Sequence, residues 1–96
     1  MTLIEPSHTQ IQKTIQTMVG TVVLEDPAGF PRDDTNLYCL GPNGELIWQA
    51  EKPEATGLYN RVMLNTDDTL SAYAVTGQSC ELDLRTGKLL SQAKIM

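Results

Sequence analysis

The stretch "NLYCLGPNGELIWQAEKP", residues 36–53, sets two short apolar, β-prone runs on either side of Gly41-Pro42-Asn43-Gly44. Pro42 supplies the fixed φ that a type I turn wants, and Gly44 supplies the left-handed residue that closes it, so the stretch predicts a tight β-hairpin. The same logic works outward. Arg85-Thr86-Gly87 places its glycine likewise, Gly77-Gln78 suits a two-residue type II′ connection, and residues 65–69 bring polar turn chemistry between two further runs. Strands are therefore expected near 21–25, 36–40, 45–50, 59–65, 70–76, 79–84 and 88–94. Two connections are longer: "EDPAGFPRDDT" at 25–35 and "EKPEATGL" at 51–58.

Before this β-rich region, "PSHTQIQKTIQTMVG" reads as a helix over 7–19. Ser7 and Gln10 stand in the capping-box arrangement, Gly20 is placed to end the helix, and Ile11, Ile15, Met18 and Val19 fall on one stripe. The fold class this predicts is α+β. One domain over 1–96 would hold a twisted antiparallel β-meander of about seven strands at 21–95, with the N-terminal helix packed on it. Leu46, Trp48, Ala50, Cys80, Leu82 and Leu84 would make the apolar sheet face beneath that helix.

Composition narrows the class. The chain has 96 residues, 41% of them hydrophobic and 20% charged, which is enough for one modest core. Its longest apolar run, "MVGTVVL", is far below the roughly 20 residues a bilayer requires, and the start lacks the basic flank and apolar stretch of a secretory signal. The expected location is cytoplasmic. Twelve acidic residues against seven basic ones give a net charge of −5, and the basic residues are scattered singly. Nucleic acid and anionic membranes are thereby disfavoured as partners. Cys39 and Cys80, far apart in strand-like stretches, are read as buried reduced thiols rather than metal ligands.

Catalytic and cofactor signatures are absent from the sequence. His8 is the single histidine, and no Gly-x-Ser-x-Gly, Walker or dinucleotide glycine pattern occurs. Glu25, Asp26, Asp33 and Asp34 border the long loop, but their spacing matches no cation-binding loop and is read as turn capping; no metal and no cofactor are expected. Phe30, beside Arg32 in the Pro-flanked "GFPR", is a candidate partner anchor together with Asp33 and Asp34. The competing reading has Phe30 folding back to plug the sheet edge. Tyr38, Tyr59 and Tyr73 are candidates to line a small-ligand concavity.

The hairpin "LYCLGPNGELIW" resembles the repeat of PQQ-like, quinoprotein-type β-propellers, with its Ala-x-Asp-x-x-Thr-Gly-x-x-x-Trp pattern. A second copy, "CELDLRTGKLLS", matches at Asp83, Thr86, Gly87 and Lys88, with Glu81 at the Ala position and Ser91 at the Trp position. The first copy keeps Trp48 four residues after Gly44 but is one residue shorter before the turn, with Gly41 in the Asp role and Asn43 in the Thr role. Gly44 and Gly87 lie 43 residues apart, about one blade, and the resemblance covers residues 36–50 and 61–94. It implies blade-like units and no quinone site, and two units cannot close a ring.

Together these features predict a small non-enzymatic interaction or assembly module that binds a protein partner or itself. Residual apolar surface at Ile47, Val75 and Leu90 favours a homodimer. The alternatives are a small-ligand binder and an inhibitor or immunity-type partner of a basic protein.

Overall fold

The computed structural model describes residues 5–95, and within them the chain forms eight β-strands and no helix. The strands are β1 (Ile11–Gln16), β2 (Thr21–Glu25), β3 (Leu37–Leu40), β4 (Leu46–Gln49), β5 (Tyr59–Leu64), β6 (Thr69–Ala74), β7 (Gln78–Asp83) and β8 (Leu89–Lys94). They make two four-stranded antiparallel sheets in sequential order, β1-β2-β3-β4 and β5-β6-β7-β8. Fold class is therefore all-β, which corrects the expected α+β arrangement of one seven-stranded meander under a helix.

The segment expected to be helical at 7–19 holds β1 instead. Ile11 and Ile15 are four apart, a spacing a helix and a strand both accommodate, and the β-branched Ile11, Thr14 and Ile15 favour the strand. Pairing decides the matter. Ile15 lies opposite Val22, Thr14 opposite Val23 and Lys13 opposite Leu24, so β1 covers an edge of β2 that a helix would leave open. Gly20 closes a hairpin rather than a helix, with Thr17 Oγ1 donating to the Gly20 carbonyl at 2.7 Å. Met18, assigned to the helix stripe, is 74% exposed at this turn.

The two sheets share one strand order and one pattern of register. Each carries a bulge in its first strand, at Gln12 and at Asn60, and another in its last strand, at Ile47 and at Leu90. Their last hairpins close with corresponding bonds across turns that differ by one residue: Gly41 N–H donates to Glu45 O and Gly44 N–H to Gly41 O, and Asp83 N–H to Lys88 O and Gly87 N–H to Asp83 O. Thr21, Val23, Tyr38, Leu40, Leu46 and Trp48 of the first unit thus correspond in register to Leu70, Ala72, Cys80, Leu82, Leu89 and Ser91 of the second.

One core lies between the sheets. The first sheet contributes Val22, Leu24, Leu37, Cys39 and Trp48, and the second contributes Val62, Leu70, Ala72, Cys80 and Leu82. Applying the equivalences shows that the units stack in the same sense. The second sheet is buried on its Leu70–Ala72–Cys80–Leu82 face, whereas the corresponding Thr21–Val23–Tyr38–Leu40 face of the first sheet points away from the core. Leu46 was expected beside Trp48 on the core face. The Ile47 bulge shifts it to the opposite face, opposite Leu40, where it is 55% exposed.

Polar contacts cross the core as well. Trp48 Nε1 donates to the Leu84 carbonyl at 2.8 Å, and its ring lies so close to the second unit's turn that a Cβ on Gly87 would sit 2.5 Å from Cε3. Asn36, fully buried, donates through Nδ2 to the carbonyls of Glu25 and Tyr59 and accepts the Tyr59 N–H at 2.9 Å. The radius of gyration is 12.3 Å, as a compact chain of this length requires. No helix among the described residues is long and apolar enough to cross a membrane.

Trp48→Ala is expected to cost about 3–5 kcal/mol, through the lost ring and the cavity it leaves. Trp48→Phe keeps most of the packing but strands the Leu84 carbonyl, and is expected to cost roughly 1–3 kcal/mol. Denaturant unfolding followed by far-UV circular dichroism checks both, and equal losses for the two variants would contradict a separate role for the indole N–H.

Candidate functional site

The outward face of the first sheet is the candidate site. Its strands present Tyr38, Leu40 and Leu46 in a groove of about 730 Å³, closed at one end by the Gly41-Pro42-Asn43-Gly44 turn and rimmed by Gln16 and Gln49. Two local features shape it. The Ile47 bulge delivers Leu46 to this face, and Gly44, at φ 82°, makes a turn so open that a Cβ there would meet nothing within 4 Å.

Glu25 ties the segment before β1 onto this face. Its carboxylate is fully buried and accepts five hydrogen bonds: Ser7 N–H at 2.6 Å, Ser7 Oγ at 2.8 Å, His8 N–H at 3.0 Å, Thr9 N–H at 2.9 Å, and the Tyr38 hydroxyl. Burial pushes the carboxyl's pKa up, but the donors from Thr9, Tyr38, Ser7 and His8 together outweigh it and hold the value at about 2, from an ordinary 4.5. Tyr38 is driven the other way, above the usual phenol range, by burial and by the charge of Glu25. The Ser7 hydroxyl that would have capped a helix serves this carboxylate instead.

The residues expected to bind a partner do not form one exposed cluster. Phe30 is 4% exposed, with its ring edge-on to His8 at 5.0 Å between centroids, and His8 Nε2 lies 3.4 Å from Asp34 Oδ2. Arg32 and Asp33 are exposed beside it, and Asp34 is half-buried. Lys52 pins this loop through Nζ hydrogen bonds to the carbonyls of Arg32, Asp34 and Ala55 at 2.8, 2.8 and 2.7 Å. The three tyrosines fall on three different surfaces. Tyr38 lies under the groove, Tyr59 is in the core with its hydroxyl on the Glu51 carbonyl, and Tyr73 is on the outer face of the second sheet. They do not line a common pocket.

Cys39 and Cys80 are free and buried, and burial pushes both thiols up. Among the described residues, no three His, Cys, Asp or Glu side chains stand close enough to hold a metal ion. What the sequence missed is the groove and the Glu25 nest. The groove depends on a bulge, and the nest joins residues 16–18 positions apart; neither has a local signature.

Fold and site together define a class: a small all-β protein of two like units stacked in one direction, in which the outward face of the first sheet is covered at Val23 and Tyr38 and exposed at Leu46. The chain belongs to the family described as Domain of unknown function (DUF7957), whose model matches residues 5–94. A comparison with curated proteins found no match.

Glu25 sets a pH dependence. Its folded pKa is depressed, so its contribution is complete above pH 4.5 and is lost as pH falls toward 2, on the order of 3 kcal/mol across that window. Glu25→Gln places an NH₂ among N–H donors and is expected to be less stable at pH 7, with a flatter stability profile between pH 5 and 2. Urea melts at several pH values test this, and an unchanged slope in the variant would contradict it.

Phe30 and Arg32 should separate in the same assay. Phe30→Ala is expected to cost about 3 kcal/mol as a buried ring, and Arg32→Ala less than about 0.5. A near-neutral Phe30→Ala would return the ring to the role of an exposed anchor.

Proposed function

We propose that the chain is a small, non-enzymatic protein-interaction module that works in the cytoplasm and uses the exposed Leu46 end of the outer face of its first sheet. The single observation that carries this reading is the mismatch between two equivalent faces. At its turn end the second unit's face has Trp48 against Gly87, while the first unit's leaves Gly44 uncovered and Leu46 exposed, its centre being buried at Val23 and Tyr38. Exposed apolar surface beside polar rims is the ordinary anatomy of a protein contact. The acidic balance of the chain favours a partner with basic character around that contact, as electrostatic steering would require. Two buried free thiols are compatible with a reducing compartment.

The resemblance to PQQ-like blades enters here as a proposal about the units. Two hairpins with corresponding turns, one placing its tryptophan on the other's glycine, are supported as blade-like repeats by their shared bulges and common stacking sense. Self-association is the other form of the same reading, with a second copy as the partner.

Site-specific photo-cross-linking tests the assignment. A benzophenone side chain at position 46 is expected to give a discrete protein adduct in cell extract, and the same group at the exposed Arg85 turn is expected to give none. Equal labelling from both positions, or no adduct at either, would remove the reading. Light scattering of the purified chain identifies the self-associated form.

A further inference from the structure

We infer that the groove on the first sheet receives a tryptophan carried on a β-hairpin of a protein partner. The inference rests on the interaction-module reading above and gives that site an occupant. Its basis is the occupied counterpart within the molecule. At the second unit, the Trp48 indole fills the space beside Gly87, donates to the carbonyl of Leu84 in the same turn, and belongs to the core cluster that also holds Leu82 and Cys80. Leu89 packs against that cluster.

These elements have equivalents on the outward face of the first sheet, which is exposed at its Leu46 end. Gly44 takes the place of Gly87, Leu40 of Leu82, Tyr38 of Cys80 and Leu46 of Leu89, in a turn one residue shorter whose glycine N–H bonds three residues back rather than four. The difference is occupancy. Gly87 is buried under a ring, while Gly44 is exposed and has open space where a Cβ would point. A flat aromatic ring with an N–H donor therefore suits the groove, since it can lie on a glycine turn that lacks a Cβ and reach a turn carbonyl.

A second copy of this chain fits less well. Stacked in the same sense, it would offer the outer face of its second sheet, where Ser91 stands in place of Trp48 beside Glu81, and it would bring a further −5 of charge. The acids lining the groove, Glu5 and Asp34, favour a partner hairpin with basic flanks.

The probe is a cyclised peptide copying residues 36–51, the hairpin that makes the equivalent contact inside the molecule, titrated into the ¹⁵N-labelled full chain. Cyclisation is needed because an isolated hairpin is only marginally ordered. Binding is expected to shift the amides of Leu40, Gly41, Gly44 and Leu46, and to weaken at least about tenfold when the peptide's tryptophan is replaced by serine, as loss of an interface anchor does. Leu46→Lys, at an exposed position that leaves the core intact, is expected to weaken binding by a similar factor.

Equal affinity for the tryptophan and serine peptides, shifts confined to the Tyr73 face of the second sheet, or no shifts at all would overturn the inference. A full chain with Leu3 and Ile4 both replaced by Asp serves as the control for its own first residues. Peptide binding that appears in this variant alone would assign the groove to the N-terminus and overturn the proposal. A discrete adduct at position 46 without peptide binding would leave the interaction module standing and dismiss the tryptophan.

Discussion

Neither sheet of this protein could persist alone. A four-stranded sheet with one apolar face must bury it, and here the covering layer is the other sheet, held in place by the indole of Trp48. The ring is useful because it meets two different needs: its flat face lies on a glycine turn that has no side chain in the way, and its N–H satisfies a carbonyl that the turn leaves buried. Asn36 repeats the arrangement in polar form, bonding to the backbone of both sheets from a fully buried position. No buried side-chain nitrogen or oxygen among the described residues lacks a partner. The interface is therefore closed in its polar as well as its apolar contacts, as uniquely packed cores generally are.

The sense in which the units stack has a further consequence. Two copies related by a two-fold axis would bury the same face in each and leave two like faces outward. Units stacked head to tail bury unlike faces and leave one unlike face at each end. At the second sheet's end that face is largely polar, with Ser79, Glu81 and Ser91. At the first sheet's end it is the groove. The groove thus arises from the same geometry that makes the core.

Much of the fold was legible because turn chemistry is local. Pro42 with Gly44, Thr86 with Gly87, and Gly77 mark reversals that need no knowledge of the rest of the chain, and β2 to β8 lie between those marks. The first segment shows the opposite case. Its Ile11 and Ile15 are compatible with two periodicities, and its Ser7–Gln10 cap signal was genuine chemistry directed at another acceptor, the Glu25 carboxylate. Bulges were equally hidden. An extra residue opposite Cys39 and Leu40 reverses which way Leu46 points, and nothing within "ELIWQ" announces it, because a bulge is a property of two strands in register.

By itself, the sequence determined where the chain turns, which stretches are extended, and that two hairpins follow a common pattern, because glycine, proline and β-branched residues act through backbone sterics that reach only a few positions. The tertiary structure decided that 11–16 is a strand, that the strands divide into two sheets at 51–58, and which residues face inward. It also decided that Glu25 is a buried anchor rather than a loop-border acid. Those outcomes depend on contacts between residues far apart along the chain, where the competition between burying apolar area and pairing every backbone group is settled across the whole molecule at once.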